Sequence, residues 1–226
     1  MLTVFSDLHC PWAYVFSIRL RRARAGIGRP PVAWRSWPLE LVNERGTSWE
    51  TLSQEVPVLT QLEPDHFAPP RRETWPSTLL PAMEALKVAG ELGGPAAADR
   101  FDEAARRAFF LDRRDLSIRP VLADIATEAG LDRAGFLDAF DGGGLRASVV
   151  ADWHEGRRRG VEGSPHAFLP DGTAVFNPGV GKIDWVRGIP VPHDVDEGAV
   201  ARLLDQAVAA SSSPKPSDRP EPSEQP

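Results

Sequence analysis

Apolar positions along the chain follow strand-like spacing near both ends and helical spacing between them. Leu2, Val4 and Phe5 form a short apolar run that stops at Ser6-Asp7 and predicts a strand. After Pro11, Trp12, Phe16, Leu20, Ala23 and Ile27 recur at helical intervals, with Arg19, Arg21, Arg22 and Arg24 on the other faces. Gly26 and Gly28 predict the end of that helix, and Val32 to Trp37 a second strand before Pro38. Strand, helix and strand over this length predict a βαβ unit with parallel strands. From Thr47 to Pro76 the chain is rich in proline and polar residues, and weak periodicity predicts an irregular connection.

A block of helices comes next. Ser77 is placed to cap a helix whose one face carries Leu79, Met83 and Leu86. Phe101, Ala104, Ala105, Ala108 and Phe109 give a second amphipathic stripe. Leu122, Ile125, Ala126 and Ala129 predict a third helix ended by Gly130. Phe136, Leu137 and Phe140 predict a short fourth, and Arg146 to Arg159 a fifth. Strand character returns at Ala167–Leu169 and Ala174–Phe176, around the turn Pro170-Asp171-Gly172-Thr173, which predicts an antiparallel hairpin. Val200, Leu203, Leu204, Ala207 and Val208 predict a final helix. The order is that of an α/β domain interrupted by helices. Residues 1–60 and 153–210 would form the discontinuous α/β domain, and 61–152 the connection and helical insertion. Residues 211–226, all Ser, Pro, charged or polar, would be a disordered tail.

Charge and composition narrow the function classes. The 226 residues carry a formal net charge of −6, so the basic footprint of a nucleic-acid binder is absent. Twenty-three arginines against three lysines read as composition bias, and Arg157-Arg158-Arg159 as a solvated helix face. No apolar run approaches the ~18 residues of a membrane span. The N-terminus has neither a basic region nor a long apolar segment, so the expected compartment is the cytoplasm. The single cysteine, Cys10, excludes an intrachain disulfide and any multi-cysteine metal site. His154, His166 and His193 lack metal-ligand spacing, so no metal is expected.

Cys10 lies where the first strand passes into the first helix, in Ser6-Asp7-Leu8-His9-Cys10-Pro11-Trp12-Ala13-Tyr14. Pro11 suits a first helical turn, because its missing N–H has no role there. Cys10 would then occupy the N-cap, where unpaired N–H groups and the helix dipole favour a thiolate and predict a lowered pKa. A protonated His9 would push the same way. The competing reading is a buried, inert cysteine. Far along the chain, Gly163-Ser164-Pro165-His166 precedes a strand, where an X-Pro bond is open to a cis platform beside the thiol.

Phe5 through Tyr14 resembles the active-site segment of the DsbA-like thioredoxin family, especially its FrnE-like branch. Trp34-Arg35-Ser36-Trp37-Pro38-Leu39 is similar to that branch's second-strand segment. Phe109-Phe110-Leu111 through Asp115-Leu116, with Ala129-Gly130-Leu131, is similar to its helical insertion. Gly160-Val161-Glu162-Gly163-Ser164-Pro165 resembles the family's loop into its cis-proline. The resemblance covers roughly residues 1–210. It implies a thioredoxin-like fold with an inserted helical subdomain and a cis Ser164–Pro165 bond. Cys10 is implied as nucleophile, with Pro11, Trp12, Ser164 and Pro165 against the substrate.

One departure changes the chemistry. Dithiol members carry a second cysteine three residues after the first, and here that residue is Ala13. Cys10 can form a mixed disulfide, but its release must come from an external thiol such as glutathione or an equivalent. The expected partner is therefore a small thiol or a disulfide-containing substrate such as a peptide, with no covalently bound cofactor. Cys10-Pro11-Trp12-Ala13-Tyr14 also resembles the motif of kappa-class glutathione transferases and 2-hydroxychromene-2-carboxylate isomerases, in which Ser replaces the cysteine. A glutathione-dependent isomerase or transferase is thus an alternative, and a non-catalytic binding protein a third. Asp7 is expected to cap the loop or orient the site. His66, Arg71 and Arg72 are expected in a surface loop that could meet an anionic cofactor. Asp112-Arg113-Arg114-Asp115 reads as a helix-end charge cluster.

Overall fold

The computed structural model of the chain describes residues 1–25 and 32–212. Strand β1 (Thr3–Ser6) runs parallel to β2 (Ala33–Ser36), with Val4 opposite Trp34 and Phe5 opposite Arg35. A parallel pair needs a crossover, which helix α1 (Pro11–Arg24) begins. The predicted stop at Gly26 and Gly28 lies outside the described residues. On the other side of β1, β3 (His166–Phe168) adds antiparallel, and β4 (Ala174–Phe176) pairs with β3. The sheet order is β2-β1-β3-β4. The β3–β4 turn needs a left-handed residue, and Gly172 supplies it with φ 91°.

The helices are α2 (Leu39–Val42), α3 (Trp49–Leu62), α4 (Leu80–Phe110), α5 (Arg119–Glu128), α6 (Arg133–Asp141), α7 (Arg146–Arg158) and α8 (Ala199–Ser212). A short 3-10 turn spans Pro64–His66. Helix α3 overturns the expectation of an irregular connection over Thr47–Pro76. Ser48 accepts the Thr51 N–H at 3.1 Å as its N-cap. Leu52, Val56 and Leu59 form its buried stripe, while Pro57 is exposed. A second hairpin, β5 (Ile183–Val186) with β6 (Ile189–Pro192), also escaped the sequence reading. Its two turn residues, Arg187 and Gly188, both have positive φ, as a tight hairpin requires. Pro190 and Pro192 are tolerated because this sheet has only two strands, both edges.

Helix α4 bends sharply at Gly94 (φ 69°, ψ −172°) just before Pro95, so its two halves are separate stripes. Ser77 does not cap it, contrary to expectation. The Glu40 carboxylate accepts the Leu79 N–H at 3.0 Å and the Thr78 hydroxyl at 2.6 Å, drawing an acceptor from α2. One buried apolar cluster runs from β1 and α1 through Met83, Leu86 and Phe101 to Ile125 and Phe136, so α4 and α5 share the core of the sheet domain. Helix α8 extends through Ser212, beyond the expected start of the tail; residues 213–226 lie outside the described residues. No described helix is long and apolar enough to cross a membrane.

Candidate functional site

Cys10 is the N-cap of α1, with φ −80° and ψ 114°, and Pro11 follows at the first helical position. Its carbonyl accepts the Tyr14 N–H at 3.1 Å. The loop leading into it is held by Asp7. One Asp7 carboxylate oxygen accepts the His9 N–H at 2.6 Å, and the other accepts the Leu39 N–H at 2.6 Å. The Asp7 N–H donates to Ser164 Oγ at 2.9 Å. Asp7 therefore clamps the Cys10 loop to α2 and to the segment before β3. Burial still drives its carboxyl up to about 6, although both backbone N–H bonds and Arg106 oppose the rise.

Arg106, on α4 and fully buried, donates to the Asp7 carbonyl at 3.0 Å, to Ser6 Oγ at 2.6 Å and to the Asp102 carboxylate at 3.0 Å. The helical insertion thus fixes the strand end that carries the cysteine. An arginine inside an amphipathic stripe gave no sequence signal for this role.

The Ser164–Pro165 peptide bond is cis, and Ser164 meets the cysteine. The Cys10 thiol donates to the Ser164 carbonyl oxygen at 3.0 Å. Ser164 was expected against the substrate; here its carbonyl is occupied by the thiol. Cys10 is only 5% exposed, and burial pushes its pKa up to about 12. The Ala13 N–H and the Ser164 side chain lower it, but desolvation wins. This corrects the expectation of a helix-start thiolate. His9 does not assist either: it lies between Trp75 and Phe109, at 4.8 and 4.2 Å between ring centroids. Burial drives its pKa down to about 3, so at neutral pH it carries no charge.

A cleft of about 340 Å³ opens beside the thiol. Cys10, Pro11 and Trp12 form one wall, and the start of α3, with Ser48, Thr51 and Glu55, forms the other. Exposed Arg45 lies in the loop between α2 and α3, which also lines the cleft. The Trp12 indole N–H donates to Glu55 Oε1 at 2.9 Å, so Trp12 is anchored across the cleft as well as facing it. The cleft is large enough for a small molecule, its thiol wall is apolar, and its opposite wall is polar.

Residues 1–186 match the family described as DSBA-like thioredoxin domain. The chain belongs to this family. No curated protein matches it. Among solved structures, the cytosolic disulfide reductase DsbM from Pseudomonas aeruginosa, determined with GSH, aligns with a TM-score of 0.58 at 19% identity, covering 92% of this chain and 98% of its own. A "probable DsbA oxidoreductase" from Streptomyces coelicolor gives 0.64 at 20% identity, covering 95% and 92%. A 2-hydroxychromene-2-carboxylate isomerase gives 0.61 at 16% identity, covering 77% and 87%. These likenesses show a shared thioredoxin-like fold.

Within this DSBA-like chain the other candidates lie apart from the thiol. His66 Nδ1 is 3.3 Å from the Tyr14 hydroxyl, Arg72 pairs with Glu50 at 2.7 Å, and Arg71 is exposed; none lines the cleft. His166 accepts the Glu162 N–H at 3.0 Å, and His193 meets Asp184 at 3.1 Å. Arg114 binds Glu128 at 2.7 Å, and Asp115 accepts from Ser117, so the 112–115 cluster serves the ends of helices. Sequence reasoning missed Glu55, Arg45 and the α3 wall. The Ser48 cap followed by Leu52, Val56 and Leu59 was the available signal, hidden by Pro57.

Proposed function

We propose that this DSBA-like protein is a monothiol member of its family, exchanging disulfides through Cys10 and relying on an external small thiol to finish the cycle. The observation that carries the reading is the meeting of Cys10, at the start of α1, with the carbonyl before Pro165 beside an open cleft. The Cys10 sulfur attacks a substrate disulfide R–S–S–R′, forming Cys10–S–S–R as the R–S–S–R′ bond breaks. The R′ sulfur leaves with the bonding electron pair and takes up the thiol proton. A second thiol, R″–SH, then attacks the R sulfur, giving R–S–S–R″ and restoring Cys10–SH. Ala13 offers no resolving sulfur, so the second thiol comes from solution.

The protonated resting thiol fits a gated nucleophile. The Ser164 carbonyl that holds the Cys10 hydrogen is the acceptor an extended substrate backbone would use by strand addition. Docking would displace the thiol from that bond. Glutathione or an equivalent suits the small cleft, and a cytoplasmic setting would supply such a thiol in reduced form.

A second reading draws on the same protonated state. A thiol held near 12 donates a hydrogen bond as a serine hydroxyl does, so it could hold a glutathione thiolate for isomerase or transferase chemistry. Cys10→Ser separates the two. Thiol-transfer turnover on a glutathione mixed disulfide, coupled to glutathione reduction, is expected to fall to background in Cys10→Ser. Retained turnover would overturn the exchange reading.

A further inference from the structure

Glu55 is a buried carboxyl group on the cleft wall that the exchange cycle above leaves unused. It lies two turns beyond the Ser48 cap on α3, on the same face as Thr51, and is 5% exposed. Its Oε1 accepts the Trp12 indole N–H at 2.9 Å, and no described cation neutralises it. Burial raises its pKa from 4.5 to about 7, so it holds a proton about half the time near neutrality.

We propose that Glu55 accepts the proton released by the Cys10 thiol during attack, relayed through water in the cleft that both residues line, and returns it by the same route to the departing sulfur. This rests on the exchange reading given above. The proton moves from Cys10 to the Glu55 carboxylate as the Cys10–S–S–R bond forms, then from the carboxyl to the R′ thiolate. The sum is Cys10–SH plus R–S–S–R′ giving Cys10–S–S–R plus R′–SH, with no outside oxidant or reductant.

The other titratable groups nearby are unsuited to the role. His9 is held neutral by burial, and both Asp7 oxygens are taken by backbone N–H groups. Arg45 from the α2–α3 loop is a permanent cation. From α1, Tyr14 faces His66 of the 3-10 turn, and Arg19 is held by Glu63 at 2.9 Å. Strand β6, also packed on α3, contributes Ile189, Pro190, Val191 and Pro192, none of which titrates.

Two roles for Glu55 predict opposite effects. An ionised Glu55 repels the Cys10 thiolate, so as a mere electrostatic neighbour it slows the thiol, and its removal would speed attack. As a proton carrier it assists, and its removal slows attack. The test is the rate of Cys10 alkylation by iodoacetamide, read by intact mass from about pH 5 to 9, in wild type, Glu55→Gln and Glu55→Asp. Gln keeps an oxygen for the Trp12 indole but cannot titrate. The wild-type rate is expected to rise through an inflection near 7 and level off. Glu55→Gln should lose the inflection and fall by at least about tenfold at neutral pH, while Glu55→Asp keeps an inflection. An equal or faster Gln variant, or an inflection that survives in it, overturns the proposal. Alkylation needs no disulfide substrate, so failure here is separable from failure of the exchange reading.

Discussion

At Cys10 two effects of different size act on one proton. A charge at a helix N-terminus gains typically about 0.3–1 kcal/mol from the dipole when partly exposed. Burial lifts this thiol from 9.0 to about 12, which corresponds to roughly 4 kcal/mol against ionisation. Desolvation therefore wins, and the thiol rests protonated on the Ser164 carbonyl. His9 shows the same physics with opposite charge. Its pKa falls from 6.5 to about 3, so below pH 6.5 the unfolded chain takes up a proton that the folded chain refuses. This part of the stability is present above 6.5 and is lost as pH falls toward 3. His9→Phe should fit between Trp75 and Phe109 and remove that loss. In urea unfolding, wild type should lose on the order of 4 kcal/mol relative to His9→Phe between pH 6.5 and 3. A pH-independent difference between the two would show that His9 titrates normally in the fold.

At the scale of elements, the start of α1 was legible because Pro11 fixes a first turn and Cys10 precedes it. The burial of Cys10 was not, because the carbonyl that holds its thiol comes from a distant segment, Ser164 before β3. Helix α3 was missed because Pro57 and the polar residues around it weaken the helical stripe. The structure places Pro57 on the exposed side, where Leu52, Val56 and Leu59 still pack inward. The placement of α1 makes a prediction of its own. Ala13 is fully buried one turn beyond Cys10, and its N–H approaches the Cys10 sulfur. Ala13→Cys should close an intramolecular disulfide on mild oxidation, seen as the loss of both thiols without dimer formation. Two free thiols after oxidation would mean that the first turn of α1 is not where the structure puts it.

Across the whole molecule, the element order near both ends was readable because β1, α1, β2 and the β3–β4 hairpin announce themselves locally, through periodicity and turn residues. The contacts that assemble the site are long-range. Arg106 joins α4 to the end of β1, the Glu40 carboxylate caps α4 from α2, and Asp7 joins three segments at once. None has a local signature, since each depends on which surfaces meet after folding. The alanine at position 13, by contrast, was visible in the sequence alone, and the proposed exchange cycle turns on it. The most direct test incubates the reduced protein with oxidised glutathione, follows intact mass, and then adds reduced glutathione. A single glutathione adduct on Cys10 is expected, stable until the external thiol arrives and then fully released. Absence of the adduct in the folded protein, or its release without added thiol, would contradict the proposed cycle.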